Sequence, residues 1–147
     1  MPITQAFCNS FKRELLAMTP HRPEDAYKIA LYMPAASLNK FTTRYSAANE
    51  VPAGGDYVPG GQLLRGLLIT ADGDTVTLDW TVDPVWQNVT LTAAGALIYN
   101  SLRENRTLAV LAFVDEAGRP MPLTARAGSF GVRLPAPGAK FGLIRIT

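Results

Sequence analysis

Closely spaced turn signals divide most of this chain into segments that are too short for anything but β-strands. Within these segments apolar and polar residues alternate, and this period of two places every second side chain on one face of a strand. The Asp72-Gly73 pair indicates a tight hairpin turn between two of them. Strands are predicted over residues 26–33, 62–70, 75–81, 87–92, 95–100, 106–114, 121–125, 130–134 and 141–146. The pattern predicts a mainly β protein, an antiparallel β-sandwich or jelly roll of about eight strands.

The N-terminal segment follows a different period. The apolar residues that recur every three or four positions are Ile3, Phe7, Phe11, Leu15 and Met18. This spacing places them on one face of an α-helix. We predict one amphipathic helix within residues 1–19, ending before Pro20 because a residue that precedes proline is pushed out of helical dihedral angles. We expect the helix to precede a β-sandwich over residues 24–147, in a single domain that spans residues 1–147.

A long connection, residues 34–61, follows the first predicted strand. It is too rich in glycine and proline to form a core strand. It nevertheless contains Phe41, Tyr45 and Tyr57, which are poorly placed in a loop washed by solvent. A connection of this length in a compact domain is usually functional. We therefore expect neighbours to order it, either the domain's own sandwich or an adjoining subunit.

Charged side chains are few and scattered along the sequence. They make up 18% of the chain, against about 25% in an average domain, and the formal net charge is +2. The 14 lysine and arginine residues show no clustering along the chain, so we expect no direct nucleic-acid partner. A lightly charged surface of this kind favours contact with another protein.

The sequence also bears on where the protein folds. Cys8 is the single cysteine, so the chain does not depend on an intramolecular disulfide or on an oxidising compartment. Its first residues are too polar for the apolar core of a signal peptide. The apolar runs are far shorter than the ~20 residues of a membrane helix. We expect a soluble protein that folds in the cytoplasm and has no membrane partner.

Residue types that carry chemistry are sparse. His21 is the single histidine, and without further ligands at a suitable spacing it is most simply a surface or turn residue, since a zinc site needs about four ligands. The hairpin turn explains Asp72 and Asp74. Asp79 alternates with apolar neighbours, so we expect it on the solvated outer face of a strand. These observations predict no catalytic residue, no metal, no cofactor and no enzymatic activity.

The best candidates for a binding role are large loop side chains. Aromatic and arginine residues are enriched at the hot spots of protein interfaces, since they provide much contact area with little charge to desolvate. Here they are Phe41, Arg44, Tyr45, Tyr57, Arg103 and Arg106. The alternative is that these aromatic residues cap the sandwich core and the arginines are solvated. Trp80 and Trp86 are predicted to belong to the core.

Several segments, taken in order, carry a resemblance to a known class of proteins. They are FKRELL at residues 11–16, YKIALY at 27–32, TTRYS at 42–46, NEV at 49–51, YVPGG at 57–61, GALIYN at 95–100, LAVLAF at 108–113 and LIRI at 143–146. Together they resemble small virion proteins that are encoded in the structural modules of tailed bacteriophages. The resemblance spans nearly the whole chain, and it lies in the order of the segments more than in any one of them.

The resemblance implies a non-enzymatic component of the virion, most similar to the cement or decoration proteins of the capsid. It implies a location on the capsid surface after synthesis in the host bacterial cytoplasm. Its partners would be the major capsid protein and other virion proteins, in a homo-oligomer or a multi-copy lattice. The alternative is a tail- or fibre-associated virion protein, or a receptor- or glycan-binding module. For the latter, Trp86, Gln87 and Asn88 are the one local grouping of aromatic and amide side chains.

Overall fold

A computed structural model describes residues 3–135 and 143–147 of the chain. Antiparallel strands dominate it, and one short helix stands near the N-terminus. The helix is α1 (Asn9–Ala17), and the strands are β1 (Ala6–Phe7), β2 (Tyr27–Tyr32), β3 (Gln62–Leu63), β4 (Arg65–Asp72), β5 (Thr75–Val82), β6 (Val85–Ala93), β7 (Gly95–Asn100), β8 (Arg106–Ala112), β9 (Leu123–Gly131) and β10 (Ile144–Ile146). This architecture confirms the prediction of a mainly β, sandwich-like fold preceded by a helix.

The strands form a central sheet and two smaller sheets. The central sheet has the order β1-β8-β7-β2-β3, and the smaller ones are β10-β5-β4 and β6-β9. All six residues of β7 are buried, so both of its faces are covered. The Tyr27 ring of β2 lies 5.6 Å from the Trp80 ring of β5, which joins two of the sheets. Trp80 and Trp86 are each 2% exposed, and their predicted place in the core is confirmed.

The helix is shorter than predicted. It begins at Asn9, because the chain before it is extended and Ala6–Phe7 pairs with β8. That pairing gives hydrogen-bond partners to backbone groups that the first turn of a helix would leave without them. The predicted end before Pro20 is confirmed, since α1 ends at Ala17. No helix among the described residues has the length and apolar character needed to cross a bilayer.

Two predicted strand boundaries are wrong. The strand predicted over residues 62–70 is shared between two sheets, because β3 pairs with β2 whereas β4 pairs with β5. The change of sheet occurs at Leu64, whose N–H donates to the Tyr27 carbonyl over 2.8 Å, and at Gly66, with φ of +75°. The predicted strands 121–125 and 130–134 are instead one strand, β9. Part of the strand predicted over residues 141–146 lies outside the described residues.

The hairpin turn between β4 and β5 is formed as predicted. Asp72 and Thr75 are paired across it, so its two central residues are Gly73 and Asp74. Gly73 has φ of +59°, a value that glycine adopts at little cost. The sequence signal therefore located the turn, although it placed the central pair one residue too early.

Residues 34–61 contain no strand and lie against the domain's own sandwich. The N–H of Tyr45 donates to the Asn105 carbonyl over 2.9 Å, and that of Val51 donates to the Leu31 carbonyl over the same distance. Of the two ways in which this loop could be ordered, the structure shows the first, contact with its own domain.

Candidate functional site

The structure distributes the predicted interface residues over three places. Two of them belong to a buried cluster around Glu50, two to a polar network beneath α1, and two to the exposed surface at a groove. In that order the pairs are Tyr45 with Tyr57, Arg103 with Arg106, and Phe41 with Arg44. These side chains therefore do not form one continuous surface.

The Glu50 cluster consists of Glu50, Tyr45, Tyr57 and the backbone N–H of Gly60. Glu50 is 6% exposed, and its carboxylate accepts a short hydrogen bond from the Tyr45 hydroxyl. Its second oxygen accepts the Tyr57 hydroxyl at 2.6 Å and the Gly60 N–H at 2.7 Å. Burial, and then the hydrogen bond to Glu50, raise the pKa of both tyrosines. Three donors from the long loop thus converge on one buried carboxylate.

The Glu50 cluster shows how two of the candidate interface residues, Tyr45 and Tyr57, pack within the domain. Tyr57 is 1% exposed, and its ring lies 5.7 Å from that of Trp86, so it has no surface to offer a partner. Tyr45 is half-buried and stacks on Tyr99 at 4.7 Å. Burial and the charge of Glu50 raise the pKa of Tyr99 to about 12. Sequence reasoning missed Glu50, because the loop has two acidic residues, Glu50 and Asp56, and no local signal shows which of them is buried.

A polar network beneath α1 determines which ring nitrogen of His21 carries a proton. Asn100 is wholly buried, and its Oδ1 accepts the Leu102 N–H at 3.1 Å. Its Nδ2 therefore donates to Asp25 Oδ2 and to His21 Nδ1, each at 3.0 Å. Because His21 Nδ1 is an acceptor here, its Nε2–H donates to Glu14 Oε1 at 2.8 Å. The network holds the neutral tautomer of His21 that carries its proton on Nε2.

The expectation that His21 is a surface residue is wrong. Its side chain is 9% exposed, because the segment after α1 folds back beneath the helix. The ring lies 5.5 Å from that of Phe11 and 6.4 Å from that of Tyr27. His21 thus connects α1 to the central sheet and serves packing.

The candidate arginines of this network are held by carboxylates of the same chain. Arg103 donates from Nε and Nη2 to both oxygens of Asp25, at 2.9 and 3.0 Å. Arg106 donates from Nη1 to Glu14 at 2.8 Å and from Nη2 to Glu104 at 2.9 Å. The alternative to docking predicted solvated arginines. Arg103 and Arg106 differ from that prediction because each forms ion pairs within the chain.

The ion pair between Arg103 and Asp25 makes the free energy of unfolding depend on pH in the acid range. Its hydrogen bonds, and then those from Asn100 and the Arg22 backbone, hold the pKa of Asp25 at about 2, below its ordinary value of 3.8. The stabilisation is therefore present above pH 3.8 and lost as the pH falls towards 2. In Asp25→Asn, we expect the free energy of unfolding to fall less over this window than in the parent chain. Urea titrations at each pH measure the free energy of unfolding, and Asp74→Asn in the exposed hairpin turn is the control. If the free energy of unfolding changes equally with pH in the parent chain and in Asp25→Asn, the ion pair of Asp25 is not the cause.

Asp79 is not on a solvated face. It is wholly buried and accepts the N–H groups of Trp80 at 2.9 Å and Leu143 at 3.3 Å. Burial raises the pKa of this carboxyl group. The prediction is wrong because both faces of β5 are covered at this position, as buried Thr77 on the same face also shows. Within residues 3–135 and 143–147, no three His, Cys, Asp or Glu side chains are arranged to hold a metal ion.

Exposed apolar side chains meet between α1 and the three-stranded sheet. They line a groove of about 140 Å³, which we call the apolar groove. Its exposed members are Leu15 of α1, Ile69 of β4, Val76 of β5 and Ile146 of β10, each between 42% and 62% exposed. Leu16 of α1 and Met18, which directly follows the helix, are almost wholly exposed. The apolar surface thus continues from the sheet onto the helix.

A second, polar groove lies on another side of α1. It has a volume of about 450 Å³, and we call it the arginine groove. Its lining includes Ser10, Arg13, Glu14, Thr43, Arg44 and Arg106. Arg44 Nη1 donates to the Glu104 carbonyl at 2.7 Å. The Asn9 N–H donates to the Lys40 carbonyl at 2.7 Å, which holds Lys40 and its neighbour Phe41, 69% exposed, near the start of α1.

Comparisons of the chain with protein-family models, curated proteins and solved structures find no match.

Proposed function

We propose that this chain is a structural protein of a bacteriophage virion, a cement or decoration protein that adds to a preformed capsid shell and stabilises it. Its partners are the major capsid protein and other virion proteins, and many copies of it occupy equivalent positions on the capsid surface. The resemblance along the chain supports this proposal. The structural observation that carries it is the apolar groove.

The apolar groove supports a role in protein contact because its side chains remain exposed in the single chain. Large apolar side chains that gather on one surface are typical of interaction sites. Burial of one isoleucine or leucine side chain contributes roughly 1.5 to 3 kcal/mol. Ile69 and Ile146 come from two different strands, so a partner that covers both also bridges the small sheet.

The structure buries Trp86, the aromatic residue on which the glycan-binding alternative depends. Trp86 is 2% exposed and lies 6.5 Å from the ring of Phe130, so its face is not available for stacking on a sugar. Gln87 and Asn88 remain on the surface without that platform. The geometry therefore favours attachment to a protein over recognition of a glycan at this place.

The groove is tested by the double change Ile69→Thr and Ile146→Thr. Threonine keeps the branched Cβ that suits a strand but removes apolar contact area. We expect the melting temperature of the isolated protein to change little, because both residues are exposed. The number of copies on particles is expected to fall, with a loss in binding of ~2 kcal/mol or more. The control is Val58→Thr with Val85→Thr, two exposed valines outside the groove; equal losses for the two pairs reject the groove as the docking surface.

The role itself is tested on particles with and without the protein. Because a ligand that binds the assembled shell stabilises it by mass action, particles that lack the protein should release their genome at a lower temperature. Identical release curves would reject the cement role. A cryo-EM map of intact particles would locate the chain.

A further inference from the structure

We infer that the arginine groove binds the carboxylate groups of an acidic segment of a partner polypeptide. The inference rests on the proposed function in one respect only, that the partner is a protein. It concerns a surface different from the apolar groove and names the chemistry of the group that the surface recognises.

Two side-chain groups of residues that line the groove have no hydrogen-bond partner. Among the described residues, the buried side-chain nitrogen and oxygen atoms without a partner are Ser10 Oγ and Arg106 Nε. Both residues line the arginine groove. Arg106 Nε can only donate, and Ser10 Oγ can donate as well. A buried donor without a partner calls for an acceptor, and the oxygens of a carboxylate accept hydrogen bonds only.

The charge around the groove is positive. The cations are Arg13, Arg44 and Arg106, which line the groove, and the carboxylates are Glu14 in its lining and Glu104 beside it. Three positive and two negative charges leave a net charge of +1 at this groove. Residues that are scattered along the sequence are therefore gathered in space, because the chain folds residues 40–44 against α1.

The guanidinium groups of this groove differ in how they are paired. Arg106 engages both carboxylates, Glu14 and Glu104, through separate nitrogens. Arg13 forms no ion pair with any residue that the structure describes, and Arg44 Nη1 approaches Glu104 Oε2 only to 3.9 Å. A carboxylate that enters the groove meets the unpaired guanidinium group of Arg13 and the loosely paired one of Arg44. Arginine binds carboxylates in a bidentate geometry.

The position of the carboxylates and of Phe41 favours a polypeptide over a nucleic acid. Glu14 lines the groove and Glu104 flanks it, so a continuous phosphate backbone would meet two negative charges. An acidic peptide can place single carboxylates beside Arg13 and Arg44 and an apolar side chain on Phe41. Exposed aromatic residues beside arginines are typical of protein hot spots.

The test uses the isolated full chain and fluorescent probes of equal length: a glutamate peptide, a glutamine peptide and a thymidine oligonucleotide. Fluorescence anisotropy should show binding of the glutamate peptide, weaker binding of the oligonucleotide and none of the glutamine peptide. The affinity should fall as the salt concentration rises. The double variant Arg13→Gln and Arg44→Gln should bind the glutamate peptide about tenfold more weakly, since two charge-assisted contacts are lost.

The matched control is Arg65→Gln with Arg126→Gln, which removes the same charge from exposed arginines outside the groove. Little change in its affinity supports the groove, whereas an equal loss in both double variants attributes binding to net charge and overturns the assignment. Failure of the glutamate peptide to bind overturns it too, and tighter binding of the oligonucleotide replaces it with a nucleic-acid site. The peptide-binding experiment uses no particles, so its outcome bears on the arginine groove and not on the cement role. The genome-release experiment tests the cement role, so failure of one proposal can be distinguished from failure of the other.

Discussion

Replacement of Gly61 by alanine is expected to destabilise the domain by roughly 4 kcal/mol or more, enough to unfold a protein of ordinary stability. A Cβ atom at this position would lie 1.8 Å from the Ile29 carbonyl oxygen and 2.5 Å from its carbonyl carbon. Both atoms belong to the backbone of β2, so no side-chain rotation relieves the overlap. The chain at this point begins to pair as β3, and either β3 leaves the sheet or β2 is displaced.

The control for this prediction is Gly118→Ala. Gly61 and Gly118 have nearly equal φ values, +81° and +80°, but a Cβ at Gly118 meets nothing within 4 Å. The cost of a left-handed backbone for alanine, about 1–2 kcal/mol, is therefore common to both variants. Urea unfolding of the two variants measures the difference, which we attribute to the close approach of the two strands. Equal destabilisation would show that backbone conformation alone accounts for the effect and would contradict the proposed overlap.

Local patterns were sufficient for the fold class and for most of the elements. Alternation predicted the strands that became β2, β5 and β7, and the Asp72-Gly73 pair located the hairpin. What failed were decisions that depend on distant partners. Ala6–Phe7 is a strand because β8 is beside it, and no local signal distinguishes this pair from the first turn of a helix.

The candidate site was less predictable for the same reason. The contact between His21 and Asn100 joins residues that are 79 positions apart, and it converts an expected surface residue into a packed one. The arginine groove likewise depends on residues 40–44 lying against α1. Residue types selected Phe41 and Arg44, which the structure leaves exposed. They could not distinguish these from Tyr57, because burial is a property of the folded chain.

The long loop is therefore held by two kinds of contact, and they differ in the effect of their loss. Backbone hydrogen bonds such as that from Val51 to Leu31 connect the loop to β2. The Glu50 cluster connects distant parts of the loop to one another, since Tyr45 and Gly60 both donate to the same carboxylate. Tyr57 also accepts the Leu31 N–H at 2.9 Å, so the cluster reaches β2 as well. Glu50 is the residue on which these contacts depend.

Glu50→Ala is accordingly expected to cost roughly 3 to 5 kcal/mol of the free energy of unfolding. The change leaves the Tyr45 hydroxyl, the Tyr57 hydroxyl and the Gly60 N–H without their acceptor. A buried polar group that loses its partner costs about 1–3 kcal/mol. Glu116→Ala, which changes an exposed glutamate, is the control and should stay within about 0.5 kcal/mol of the parent.

Glu50→Gln separates the hydrogen bonds from the charge. The Gly60 N–H can only donate, so the amide oxygen of glutamine should face Gly60 and Tyr57, and its NH₂ group should face the Tyr45 hydroxyl, which can rotate and accept. We therefore expect a loss of only about 1 kcal/mol. The negative charge disappears in the same change, so the pKa of Tyr45 and of Tyr57 should fall from their raised values, which an ultraviolet titration of the phenol groups measures. If glutamine were as destabilising as alanine while the tyrosines titrated unchanged, the carboxylate would not be the acceptor that anchors this loop.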